Sequence, residues 1–276
     1  ILFMFLGVIA CAEADSSVDK VSNNAQEQYD RAIEFIDARD YAGFEHFISE
    51  NQFLVSYKTP KGRSLILLAS SSCHEHAIQT LIEHGANTNF ALDGITPLIV
   101  ASRTASFDIK RDECSKVIKI LLENGANPSA VAFSGNNALC TVALNSDSEL
   151  LKLLLEYGAD PNYLGDNAKF PGRKSYPANL ALQCLFGDKS SDLATTHQML
   201  NELLNHGADP NKCDALLRAV NLQDVESIKT LIAHGADINR ESEVIGVGKI
   251  TPYALAKKRG YEYIIKILEE WSLKNK

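Results

Sequence analysis

The chain has no surplus of positive charge. Its 27 Lys and Arg stand against 35 Asp and Glu, a formal net charge of −8. That balance lacks the footprint of a phosphate-binding surface, which argues against nucleic acid and favours a basic protein partner. Long apolar runs are missing too. The leading one, Ile1 to Ala10, is too short for a bilayer span, which needs roughly 20 residues. No G-x-S-x-G, P-loop, H-E-x-x-H or paired-Cys zinc spacing occurs, so no sequence motif supplies a nucleophile, a phosphate cradle or a metal set. The expectation is a chain without enzymatic activity, cofactor or metal. Disorder is not expected either, because 45% hydrophobic and 22% charged residues lie in the ordinary globular range.

The first ten residues do fit the apolar core of an export signal, which runs roughly 7 to 15 residues. No initiator Met and no basic stretch precede them, so this start reads as a signal clipped at its N-terminus. After them comes "VIAC" (8–11), then an abrupt change to Ala, Glu, Asp and Ser. The quartet resembles the lipobox of bacterial lipoproteins, in which an aliphatic, a short and a small residue precede a Cys. The resemblance implies that the Cys11 thiol takes a diacylglyceryl group and that the chain is cut before it. It also implies a periplasmic protein held to a membrane through Cys11 alone, with Ala12 in the next position matching outer-membrane lipoproteins. The alternatives are an ordinary signal cut after Ala12 or Ala14, which would leave a secreted protein, and a truncated core segment. From Ala12 to Asn24 the residues are small, polar and acidic without apolar period, which reads as a tether over 11–24.

Beyond it a phrase recurs: "LIEHGANTN" at 81–89, "LLENGANPS" at 121–129, "LLEYGADPN" at 154–162, "LLNHGADPN" at 203–211 and "LIAHGADIN" at 231–239. A second phrase alternates with it: "GRSLILLA" at 62–69, "GITPLIVA" at 94–101 and "KITPYALA" at 249–256. Each position has a physical role. Thr96 and Thr251 can cap a helix whose first position is Pro97 or Pro252, where a missing N–H costs nothing. Ala101 and Ala256 let helices approach closely. The Leu-Leu pairs form the buried stripe of a second helix, a left-handed Gly ends it, and the Asp or Asn that follows favours a turn.

Together the phrases resemble the ankyrin repeat over residues 25–276. The resemblance implies an all-α solenoid of about seven helix pairs with hairpin-like fingers between them, a monomer when free that binds another protein. The pair at Ala25–Glu50 lacks the Thr-Pro phrase and reads as an N-terminal cap.

"CHEH" at 73–76 has the look of a metal cluster, but Cys73 and His74 occupy the turn between the two helices of a repeat, where the family carries Gly-His. His84, His206 and His234 each precede a closing Gly and are expected to meet helix-end carbonyls. Besides Cys11, the cysteines are Cys73, Cys114, Cys140, Cys184 and Cys213; they read either as semi-buried thiols or as containing one disulfide.

Departures from the repeat mark candidate binding features. The third and fifth pairs carry insertions, around 102–113 and 182–194, expected on one edge of the stack. The finger after Asn162 is long and presents Tyr163, Leu164, Lys169, Phe170, Arg173, Lys174 and Tyr176. The last finger, "RESEVIGVGKI" at 240–250, presents Val244, Ile245 and Val247. Aromatic and Arg side chains are what interface hot spots are made of, although Phe170 and Tyr176 could equally cover the base of their own finger. The expectation is an envelope-anchored, protein-binding scaffold or inhibitor of the immunity kind, with structural or chaperone-like support of an envelope enzyme as the alternative.

Overall fold

The computed structural model describes residues 24–105, 110–133, 135–162, 193–212, 214–244 and 248–274. The chain divides into two compact units, Ile1–Ala126 and Asn127–Lys276. The first unit holds α1 (24–37), α2 (Tyr41–Glu50), a 3₁₀ turn (Gln52–Val55), α3 (Leu65–Ser72), α4 (Glu75–Glu83), α5 (Pro97–Ala105) and α6 (Arg111–Glu123). The second holds α7 (Ala138–Leu144), α8 (Ser148–Glu156), α9 (Leu193–Asn205), α10 (Ala215–Leu222), α11 (Val225–Ala233), the strands β1 (Ser242–Val244) and β2 (Gly248–Ile250), α12 (Pro252–Arg259) and α13 (Glu262–Lys274). These are the expected helix pairs; the first helix of the fifth pair falls outside the described residues.

One register builds the core of both units. Ala77, Ile78 and Leu81 of α4 are buried, and so are Val117, Ile118 and Leu121 of α6, eight, seven and four residues before Gly85 and Gly125. The same offsets from Gly158, Gly207 and Gly235 give the buried triplets 150/151/154 of α8, 199/200/203 of α9 and 227/228/231 of α11. Each such Leu, Ile, Val or Met contributes about 1.5–3 kcal/mol of apolar burial. These second helices pack on one another: α2 on α4 and α4 on α6 in the first unit, α8 on α9, α9 on α11 and α11 on α13 in the second.

Every described second helix up to α11 ends alike where its Gly phrase stands. The Ala after each Gly donates to the carbonyl five residues back (Ala86 to Leu81, Ala126 to Leu121, Ala159 to Leu154, Ala208 to Leu203, Ala236 to Leu231), each at 2.9 Å. The glycines carry φ of 79° to 89°, the left-handed cap that the phrases predict. Thr96 and Thr251 accept from Ile99 N and Ala254 N, so both expected caps form. His84, His206 and His234 donate from Nδ1 to Thr80 O, Glu202 O and Thr230 O at 2.9 Å, which consumes helix-end carbonyls.

The two insertions resolve partly into helix. α6 and α9 have 13 residues where α4, α8 and α11 have 9, because each insertion ends as one extra N-terminal turn.

Candidate interaction surface

Fingers join each pair to the next, and their bases are fixed by side chains. Asn87, Asp160, Asp209 and Asp237 accept from the backbone N–H two residues on, closing the expected turns. Asn89, Asn162 and Asn211 then reach the next repeat: their amides donate to Gly125 O (2.8 Å), Gly207 O (2.7 Å) and Gly235 O (3.0 Å). Asn162 and Asn211 also accept from Asp209 N and Asp237 N, at 2.7 and 2.8 Å. Held this way, the described finger bases have little freedom left to lose on binding.

Of the predicted site residues, Cys11, Tyr163, Leu164, Lys169, Phe170, Arg173, Lys174, Tyr176, Ile245 and Val247 lie outside the described residues. Val244 is placed by its backbone in β1, which pairs antiparallel with β2 in the register Ser242 to Ile250 and Val244 to Gly248. The described arms of the last finger are therefore a two-stranded antiparallel pair.

In the first unit the first helices α3 and α5 pack on one another, and the fingers that precede them approach closely. Gly62, at φ 75°, carries the first finger so close to the second that a Cβ there would meet Leu92 Cδ1 at 2.7 Å. Behind the finger tips, Arg63, Leu67, Leu68, Leu92, Ile95 and Val100 line a cavity of about 280 Å³. Sequence reasoning missed this place. The signal for it was a finger whose cations, Lys58, Lys61 and Arg63, have no Asp or Glu between Asn51 and His74 to balance them.

Cys73 corrects the reading of the cysteines as thiols. It ends α3 in the left-handed conformation, at φ 55°, and is bridged to Cys114 in the extra first turn of α6, with Cα atoms 4.8 Å apart. Both are buried, at 2% and 0% exposure. The bridge occupies the Cys73 sulfur, so "CHEH" has no thiolate to offer a metal. Cys140 is disulfide-bonded as well. His74 caps α4 without a side-chain hydrogen bond; burial first, then the nearby Arg39 and Lys110, hold its imidazole below the ordinary range. Around the bridge, Arg39 pairs with Glu113 at 3.3 Å, and Lys110 reaches Ser72 O at 3.4 Å.

In the second unit, Asp224 caps α11, accepting from Ser227 N at 3.2 Å and from the Ser227 hydroxyl, while His197 of α9 donates Nε2–H to it at 2.8 Å. The serine bonds the carboxylate rather than the imidazole, so this trio is a helix cap and not a nucleophile with its base. Burial pushes the Asp224 carboxyl up, but the hydrogen bonds from Ser227 and His197 outweigh it and leave the carboxyl below its ordinary range. Among the described residues no group of three or more His, Cys, Asp or Glu side chains could hold a metal ion, and no helix is long and apolar enough to cross a membrane.

Models of ankyrin repeats match residues 37–130, as three copies, and residues 134–166. The fold is a stack of ankyrin repeats. It is similar to the crystal structure of an ankyrin repeat domain from Acinetobacter baumannii AYE, with a TM-score of 0.62, 21% identity, and coverage of 75% of this chain and 98% of that one. No curated protein matches the chain. An ankyrin repeat fold is consistent with protein binding.

Proposed function

We propose that this ankyrin chain is a non-catalytic scaffold that binds another protein at a bacterial envelope, anchored by acylation of Cys11 and acting as an inhibitor of the immunity kind. The observation that carries the binding reading is the set of described finger bases, fixed by Asn89 in the first unit and by Asn162 and Asn211 in the second, which are ordered before any partner arrives. Export is supported by the buried Cys73–Cys114 bridge, since reducing cytosol keeps such pairs as thiols whereas periplasm oxidises them. Anchoring rests on the lipobox resemblance of Val8 to Cys11, and stable attachment follows if more than one acyl chain is added. The net charge of −8 favours the approach of a partner that is basic overall.

The test uses the full chain in its envelope and a Cys11→Ser form directed to the periplasm. Acyl labelling should vanish and membrane partition should fall with Cys11→Ser; a variant that still partitions with membranes overturns the anchor. Cross-linking and mass spectrometry on the Cys11→Ser form should return one stoichiometric partner, and no partner at all overturns the scaffold reading.

A further inference from the structure

The first finger is a local exception to an acidic chain. Lys58, Lys61 and Arg63 fall within six positions, and no carboxylate residue occurs from Asn51 to His74. The Lys58 ammonium sits 4.8 Å from the Phe90 ring centre. Lys61 and Arg63 form no ion pair with any described residue. Both line a second cavity, of about 320 Å³, together with Gln26, Tyr29, Asp30 and Ile33. This cavity and the apolar one behind the finger tips share Arg63 and Leu68, so they adjoin as one groove along α1, α3 and α5.

Two buried hydroxyls on this groove have no hydrogen-bond partner. One is Tyr29, 2% exposed, its ring 5.7 Å from that of Tyr57; the other is Ser64, 3% exposed. Ser64 stands where Thr96 and Thr251 cap their helices, yet its hydroxyl makes no cap bond to α3. Burying an unpartnered hydroxyl costs stability, so each such group needs a reason to persist, of which a bound ligand is one. Of the two carboxylates on the lining, Asp30 accepts from the Gln26 amide at 2.8 Å and stands against both Lys61 and Arg63, so its cavity stays net positive, while Asp93 shares the apolar cavity with Arg63.

We propose that this groove takes an extended segment of a partner protein in which carboxylates alternate with aliphatic side chains. A carboxylate is received by Arg63 and Lys61, while aliphatic neighbours lie on Leu67, Leu92, Ile95 and Val100. Alternation suits an extended chain, whose successive side chains point to opposite sides. The overall charge of −8 does not forbid it, because screening at physiological salt cuts off exposed charges beyond about 8 Å. A partner that is basic overall can carry such a segment. The proposal rests on the scaffold reading and adds its recognition chemistry.

The experiment measures fluorescence anisotropy of three labelled decapeptides, alternating Val or Leu with Glu, Gln or Lys, against the full chain. The Glu peptide should bind about tenfold or more tighter than the other two, the size expected for a charged hydrogen bond. Arg63→Gln should abolish that preference, whereas Lys266→Gln, an equal charge change on α13, should leave it within about twofold. No binding of the Glu peptide, equal binding of all three, preference for Lys, or indifference to Arg63→Gln overturns the proposal. So does a homodimer lost in Arg63→Gln, which would put a second copy in the groove. If Arg63→Gln protein still captures the cellular partner, the groove assignment fails while the scaffold stands.

Discussion

The bridge between Cys73 and Cys114 can be weighed from the chain it closes. The two residues are 41 apart in sequence. Closing a loop of that length in the unfolded chain removes entropy equivalent to about 4 kcal/mol at 25 °C. Against this stands a local cost: Cys73 is a non-glycine residue at φ 55°, where glycine would be favoured by about 1 kcal/mol. The double variant Cys73→Ser/Cys114→Ala should therefore lose about 4 kcal/mol, and Cys73→Gly/Cys114→Ala about 3 kcal/mol. Small domains hold only about 5–15 kcal/mol in total, so both losses are large. Urea titration followed by far-UV circular dichroism reads them. The only tryptophan, Trp271 in α13, gives a fluorescence signal belonging to the second unit. Variants are preferable to a reductant here, because Cys140 is also disulfide-bonded and would be reduced too. A loss below about 1 kcal/mol in both variants would refute the loop-entropy reasoning, and a Ser variant more stable than the Gly variant would refute the left-handed cost at position 73.

Two further outcomes follow from named contacts. Asn162→Ala removes both the donation to Gly207 O and the acceptance from Asp209 N and should cost about 1–3 kcal/mol in denaturant titration; a change under about 0.3 kcal/mol would mean the ladder is decorative. Asp224 binds its proton less readily folded than unfolded. Its contribution is complete above the ordinary carboxylate range and drains away as pH falls below it, so wild type should lose stability there more steeply than Asp224→Asn. Parallel acid titrations of the two proteins would contradict this.

Much of the repeat geometry was legible in the sequence because it is local. Gly85 and its counterparts specify a left-handed cap, and Thr96-Pro97 a helix start, whatever the rest of the chain does. The buried stripe before each Gly is a fixed offset along a helix and could be read the same way. The cysteine bridge was hidden because it depends on register between repeats. Cys114 meets Cys73 only because the insertion in the third pair winds into an additional turn of α6, and counting residues shows an insertion but not its helicity. The groove was hidden for a related reason: Tyr29, Ser64 and Arg63 come from α1, the cap of α3 and a finger, and only packing brings them together. The aromatic and cationic finger at 163–176 drew notice by composition, while the cations of the first finger stood inside a regular-looking phrase.

The same bridge changes how the chain would respond to tension. A ladder of repeats joined end to end can be peeled apart one after another, each releasing its length under load. With Cys73 covalently joined to Cys114, the residues between them cannot be drawn out, and about 140 Å of contour, 41 residues at roughly 3.4 Å each, stays locked. A pull on the N-terminal side passes through that sulfur pair straight into α6, so the second and third repeats bear load as one block.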